Sequence, residues 1–179
     1  MPKHSPIINP QGKPPVGLSN FAKLAGGDYC FVDKSLFIKE VLDAGDDVIL
    51  ITRPRRFGKT MNMNMLHCFL RAPEVFAPKG STKPQHNEKE NQDLFDGLAI
   101  SRAGEAYQLE RGKRPVLFIS FRTVKEMNWD DAWIRMRSLL SSLAQETSQG
   151  APVDKLLPTK QRILQEMCAE KINPADCES

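Results

Sequence analysis

One run of the chain, Thr52 to Thr60, restricts its possible folds more than any other stretch. The run follows an apolar segment, Val48 to Ile51, and ends in Gly-Lys-Thr. In a P-loop the glycine lets the backbone approach an oxyanion, the lysine supplies a mobile charge to the outer phosphates, and the Ser/Thr hydroxyl holds Mg2+. A helix that starts here points its amide donors and its positive dipole end at the same place. The sequence therefore predicts a strand, a phosphate-binding loop and a helix in that order.

The start of the loop departs from the P-loop pattern. That pattern has glycine where this chain has Arg53, and a non-glycine residue forced into a left-handed conformation costs roughly 1–2 kcal/mol. Pro54 also removes one backbone donor and restricts φ. We therefore expect a different path at the start of the loop. The guanidinium groups of Arg53, Arg55 and Arg56 are expected to replace the missing amide donors.

The predicted nucleotide site extends from the arginines into the first turn of the helix. Lys59 is predicted to contact the β- and γ-phosphates, and Gly58 with neighbouring amides the β-phosphate. Thr60 is the predicted Mg2+ ligand, and the predicted cofactors are ATP and Mg2+. No catalytic residue is assigned. The predicted nucleotide-binding residues are Arg55, Arg56, Phe57, Gly58, Lys59, Thr60 and Met61.

Segments on both sides of the loop carry a family resemblance. Asp28 to Ile38 and the block Arg53 to Thr60 resemble the bacterial-type AAA-ATPase-like family. Its members typically read Tyr-x-Val-Asp-Lys-Thr, an apolar strand, then Arg-Pro-Arg-Arg-Phe-Gly-Lys-Ser. The resemblance continues weakly through Leu94 to Ile100 and Pro115 to Phe121, and covers about residues 17–121. In such a protein an arginine at the start of the loop is the expected residue.

The resemblance implies an ATPase, often fused to a PD-(D/E)XK nuclease-like domain, with an apolar strand that ends in Asp-Glu. Here the later strand, Val116 to Phe121, ends without an acid. Asp130 and Asp131 follow at the predicted start of a helix. We therefore expect an N-terminal portion or a shortened relative of an ATPase without a Walker B acid, and whether it is an enzyme stays open. Asp33 and Lys34 are predicted either to neighbour the base or ribose or to be a helix cap and its surface neighbour.

The predicted fold class is α/β, with a P-loop NTPase-type strand–helix–strand core, an incomplete sheet and a helical C-terminal part. Two central strands leave parallel edges unpaired, so self-association or a missing C-terminal region is expected. Trp129 and Trp133 lie four residues apart and are predicted to share a buried helix face. The predicted elements are strands 48–52 and 116–121 and helices 35–44, 60–70, 129–145 and 158–171.

The predicted domain organisation has two parts. Five prolines in residues 1–16 predict an extended or disordered lead-in. Residues 17–179 are predicted to form one partial AAA-ATPase-like domain, in which the Pro- and Lys-rich stretch 72–92 is a mobile loop.

Composition narrows the class of protein without naming a function. The chain has 179 residues, 40% of them hydrophobic and 26% charged, and no apolar run long enough to cross a membrane. Four cysteines without Cys-x-x-Cys spacing are expected to be reduced thiols in the cytoplasm.

The net charge of +3 is small, so basicity is informative only in the loop, where phosphate is the natural partner. The alternative to nucleotide binding is therefore a basic, non-catalytic module for nucleic acid or protein, or an inactive fragment.

Overall fold

The computed structural model describes residues 6–72, 93–148 and 158–169. The chain divides into two compact units. The first unit consists of Met1–Ala72 and Gln85–Phe118, and the second of Pro73–Pro84 and Ile119–Ser179. The helices are α1 (Phe21–Ala25), α2 (Leu36–Ala44), α3 (Lys59–Leu70), α4 (Glu105–Leu109), α5 (Trp129–Ser148) and α6 (Pro158–Cys168). The strands are β1 (Ile7–Ile8) and β2 (Phe31–Val32), and 3-10 turns lie at Ala99–Arg102 and Phe121–Thr123.

Residues 6–16 of the Pro-rich lead-in are described, and part of this segment is hydrogen-bonded to the chain around Tyr29 to Asp33. β1 pairs with β2 in antiparallel register, with Ile7 opposite Val32. Further along, Lys13 exchanges backbone hydrogen bonds with the chain around Tyr29, donating to Asp28 O and accepting from Cys30 N. Proline lacks an amide donor, but the residues between the prolines supply enough donors to pair this segment.

Three phenylalanines form the centre of the first unit's core. The Phe95 ring stacks on Phe21 at a centroid distance of 5.1 Å and meets Phe69 edge-on at 5.0 Å. These offset and edge-on arrangements are the favoured geometries of aromatic pairs. The Arg111 guanidinium lies 5.4 Å from the Phe95 ring centre. The buried core residues are Phe21, Leu24, Ile38, Met65, Phe69, Leu70, Phe95, Leu98 and Ile100.

Short polar contacts join the helices around this core. The side chain of Asn20 caps α1 by accepting from Lys23 N, and Asn64 of α3 accepts a 2.6 Å bond from Phe21 N. On the outer side of α2, Lys39 and Asp43 form an ion pair, and both bond to the Tyr107 hydroxyl of α4. The hydrogen bond between Lys39 and Asp43 raises the pKa of Lys39 and lowers the pKa of Asp43.

A buried aspartate at the start of α2 connects two distant segments of the chain. Asp33 is 3% exposed, and its carboxylate accepts from Ser35 N at 2.8 Å and from Ala99 N at 2.7 Å. Ser35 is fully buried, and its hydroxyl accepts from Ile100 N at 3.0 Å. A buried carboxylate is tolerated only when hydrogen bonds replace its lost water, and these amides supply them. We call this arrangement of Asp33, Ser35, Ala99 and Ile100 the Asp33 clamp.

The two predicted central strands are not formed, so the predicted strand–helix–strand core is absent from the described residues. Residues 48–52 and 116–120 pair with no other part of the described chain. Val48 and Leu50 are each 84% exposed. A parallel strand is stable only between hydrogen-bonding neighbours with both faces covered, and the described residues provide no such neighbour. The α/β class with an incomplete sheet is confirmed, but the small sheet is antiparallel and elsewhere.

The second unit is a pair of helices. α5 and α6 pack together, and Ser141 and Gln145 of α5 both donate to Cys168 O at 3.1 Å. Trp129 and Trp133 stack with a centroid distance of 6.0 Å, as their spacing predicts, but Trp129 is 64% exposed. The prediction that this helix face is buried is therefore wrong for Trp129. Trp129 is the first residue of α5, and its side chain is largely exposed to solvent there.

The sequence also makes predictions for the loop 72–92, the cysteines and the absence of a membrane span. The predicted loop 72–92 lies outside the described residues except for Ala72, which is buried. The thiols of Cys30, Cys68 and Cys168 are free, and burial raises the pKa of Cys68; Cys177 lies outside the described residues. None of the described helices combines the length and apolar character that crossing a membrane requires.

The Asp33 clamp makes a stability prediction. We expect Asp33→Ala to lower the free energy of unfolding by about 3 kcal/mol, because it leaves two N–H groups without acceptors at about 1–3 kcal/mol each. Urea denaturation measures the change. Asp46→Ala is the matched control, since Asp46 is an exposed aspartate and is expected to have little effect. Equal losses in the two variants would contradict the role of the clamp.

Candidate functional site

The predicted phosphate loop leads directly into the N-terminus of α3. Gly58 is the N-cap residue, with φ of 77°, a left-handed conformation that glycine adopts without steric cost. The first helical bond runs from Asn62 N to Gly58 O at 2.8 Å. The amides of the first turn have no intrahelical acceptor, Gly58 has no side chain to cap them, and no acidic residue lies in that turn. This helix end is therefore suited to an anion.

Lys59 folds back over the start of the loop. Its Nζ donates to Arg53 O at 2.6 Å and to Pro54 O at 3.0 Å. The loop thus closes around the ammonium group, and the two carbonyls at its start are satisfied by it. An ammonium has three donors, so one remains for a ligand even in this closed arrangement.

The arginines of the loop are exposed, and one is in a strained conformation. Arg53 has no positive φ, so the loop avoids the left-handed conformation at the position where the P-loop pattern has glycine. The strain lies instead at Arg56, whose φ is 68°. A left-handed arginine costs roughly 1–2 kcal/mol. Because Arg53, Arg55 and Arg56 all lie at the surface, their guanidinium groups can reach a polyphosphate.

The remaining predicted site residues, Phe57, Thr60 and Met61, differ in how exposed they are to solvent. Thr60 is exposed in the first turn of α3, and Phe57 is also exposed. Met61 packs against the core, so what it offers a ligand is its backbone amide. In the described parts of the chain, no cluster of three or more His, Cys, Asp or Glu side chains is arranged to hold a metal ion. A Mg2+ ion here would depend on the Thr60 hydroxyl together with ligand oxygens.

Asp33 and Lys34 separate into two roles. Asp33 is buried in the clamp and accepts from Ser35 N, but the N-cap residue of α2 is Ser35, so Asp33 is not the helix cap that the sequence offered as one alternative. Lys34 is exposed, and its Nζ lies 3.5 Å from Phe57 O, in the phosphate loop. The sequence offered Lys34 as a neighbour of the base or ribose, but it did not predict the contact with Phe57, which spans 23 residues. The only sequence signal was the Asp-Lys-Ser pattern before a helix.

Comparison with known proteins identifies the family of the chain. The family model of predicted AAA-ATPases, AAA-ATPase_like, matches residues 15–174, and the chain belongs to this family. The match extends beyond residue 121, where the weak resemblance ended. Membership implies use of a nucleotide and Mg2+ in general terms.

A curated relative is an uncharacterized protein in the vnfD 5′ region of Azotobacter chroococcum mcd 1. It is 34% identical over 110 residues, which are 61% of this chain. The aligned stretch spans only 17% of that protein's length. No solved structure gives a significant match.

The left-handed conformation of Arg56 makes a second stability prediction. We expect Arg56→Gly to keep or raise the free energy of unfolding by up to about 1 kcal/mol, because relief of strain offsets the greater freedom of glycine in the unfolded chain. Arg55→Gly is the matched control. Its φ is not positive, so it relieves no strain and should lose about 0.4–1 kcal/mol. Equal changes in both variants would show that Arg56 is not strained.

Proposed function

We propose that the chain binds a Mg-nucleotide, ATP in the first place, through a variant Walker A loop formed by Arg55 to Thr60 and the Met61 amide. The observation that carries this proposal is the position of the Lys59 ammonium. It is held by Arg53 O and Pro54 O at the start of the loop, and Lys59 is itself the first residue of α3, whose first turn has no side-chain cap. Lysine, glycine and helix end thus converge on one place where a phosphate would be stabilised.

The residues of this place fit a polyphosphate. The first-turn amides can donate to a β-phosphate, and Lys59 supplies a donor to the outer phosphates. Arg55 and Arg56 are exposed beside them and can neutralise further charge in forked geometry. Bound Mg2+ would bridge phosphate oxygens, and Thr60 is the residue that would hold it. No acidic side chain lies in the first turn of α3 to repel the anion.

Hydrolysis is not part of the proposal, because among the residues that the structure describes no carboxylate bonds to Thr60 or Lys59 in the role of a Walker B acid. Phosphoryl transfer needs a positioned water and a metal ion held by more than one protein group. None of the described carboxylates forms a hydrogen bond to Thr60 or an ion pair with Lys59. Asp130 and Asp131 lie in the first turn of α5, and Asp131 bonds to Asn128 as part of that helix start.

Nucleotide binding makes the third prediction. We expect Lys59→Ala to weaken Mg-ATP and Mg-ADP binding by about 1.5–3 kcal/mol, the range for a hydrogen bond to a charged group. That corresponds to roughly 10–150-fold in Kd. Isothermal titration calorimetry measures it, with Lys113→Ala, an exposed lysine of the same unit, as the control. Unchanged affinity in Lys59→Ala would overturn the assignment.

A second candidate ligand is nucleic acid, which the three exposed arginines favour. If phosphate-backbone binding is the function, affinity for DNA or RNA falls steeply with salt, and replacing Arg53 and Arg55 reduces that dependence. ATP should compete for the same loop. Tight binding of nucleic acid that ATP does not displace would favour this second function over nucleotide binding.

Catalysis makes the fourth prediction, which is a negative one. We expect the 179-residue chain to hydrolyse ATP no faster than its Lys59→Ala variant, because no carboxylate of the described residues bonds to Thr60 as a second ligand for Mg2+ would. Phosphate release under saturating Mg-ATP measures the rate. Sustained turnover that Lys59→Ala abolishes would show that a carboxylate reaches the site, with Asp130 and Asp131 the first to test by substitution with asparagine.

A further inference from the structure

Lys34 lies beside the phosphate loop although it is distant in sequence. Its ammonium is 3.5 Å from Phe57 O. It is also 3.9 Å from the position that a Cβ on Gly58 would occupy. The Phe57–Gly58 peptide leads directly into α3, so the Lys34 charge stands at the entrance to the helix N-terminus. The side chain is exposed and is therefore accessible to a ligand.

The backbone that carries Lys34 is held on both sides. Asp33 and Ser35, its neighbours, are both buried members of the Asp33 clamp. The Lys34 carbonyl accepts from Phe37 N at 2.9 Å in the first turn leading into α2. These bonds fix the backbone at Lys34, and so they fix the point from which its side chain reaches the loop. The clamp thus directs an otherwise flexible charge towards the loop.

The charge of Lys34 has no acidic partner within the described residues. The ion pairs there join other cations to carboxylates, and the hydrogen bond of Lys34 is a long one to a neutral carbonyl. Such a bond is weak, so it can be exchanged for a charge-assisted bond to phosphate, which is about twice as strong as a neutral one. The other loop cations, Lys59 and the arginines, come from one continuous segment. Lys34 approaches from a different one.

We propose that Lys34 is a second ammonium of the nucleotide site and contacts the phosphates of a nucleoside di- or triphosphate from the α2 side of the loop. The proposal rests on the proposed nucleotide binding and deepens it. In the free chain Lys34 supports the Phe57 carbonyl, and in the bound chain it moves to the phosphate. The Asp33 clamp positions it for both contacts. Lys34 contributes to binding only, and takes no part in bond breaking.

The test is calorimetric titration of Mg-ATP, Mg-ADP and AMP into the wild-type chain and into Lys34 variants. Lys34→Ala should weaken ATP and ADP binding by about tenfold, the lower end for a charged hydrogen bond, and AMP binding less. Lys34→Arg keeps the charge and should restore most of the affinity. Lys34→Gln keeps a donor for Phe57 O without the charge, and should bind as weakly as Lys34→Ala. Lys23→Ala, an exposed lysine of α1, should bind like the wild type.

The outcomes separate this inference from the proposed function. Full affinity in Lys34→Gln with loss in Lys34→Ala would mean that Lys34 only supports the loop, and would overturn the inference. Wild-type affinity in Lys34→Ala together with loss in Lys59→Ala would also overturn it, while leaving nucleotide binding intact. An equal loss for AMP and ATP would place Lys34 away from the outer phosphates and reject the assignment. No nucleotide binding by the wild-type chain would reject the proposed function itself.

Discussion

The buried carboxylate of Asp33 is the contact on which the arrangement of the first unit depends. A charge at 3% exposure must be matched by donors, and the backbone amides of Ser35 and Ala99 are its partners. The clamp therefore fixes the start of α2 against the 3-10 turn at Ala99–Arg102. Ile38 and Ile100, on these two segments, are both fully buried in the same core. This polar contact thus fixes how the two segments align in the apolar core, because the amides of Ser35 and Ala99 can both donate to the carboxylate only in this alignment.

The geometry of the candidate site depends on the Asp33 clamp and on the left-handed backbone conformation of the phosphate loop. α3 presents uncapped amides because Gly58 turns left-handed immediately before it, and Lys59 then reaches back to the start of the loop. Arg56 also adopts a left-handed conformation, at a cost that the surrounding loop must balance. Strain of this kind is often found at ligand sites, where a fixed shape matters more than local stability. Positive charge at the phosphate loop comes from two segments of the chain. The loop supplies its own arginines and Lys59, and the clamp holds Lys34 beside it.

The apolar segments on either side of the loop show where sequence patterns stop being sufficient. Val48 to Ile51 and Val116 to Phe121 have the composition of buried parallel strands, yet residues 48–52 and 116–120 are unpaired in the described chain. A helix satisfies its own backbone, whereas a strand needs a neighbour that the local sequence does not specify. Near the second segment, Gly112 N and Arg114 N instead donate to the end of α3, at Phe69 O and Leu70 O. The α/β class follows from the order of apolar segments and helix signals along the chain, but the identity of the paired strands does not.

The sequence by itself predicted α2, α3, α5 and α6, but not α1. Gly-Lys-Thr after an apolar segment predicts the start of α3, and periodicity predicts α2, α5 and α6 nearly to their ends, because helix signals are local. The sequence also indicated the family, because the motif residues that show the resemblance are adjacent in the chain. Tertiary structure alone decided which strands pair, that Asp33 is buried while Lys34 is exposed, and that Lys34 lies beside Phe57. These outcomes depend on contacts between residues far apart in sequence, and no local pattern encodes such a contact.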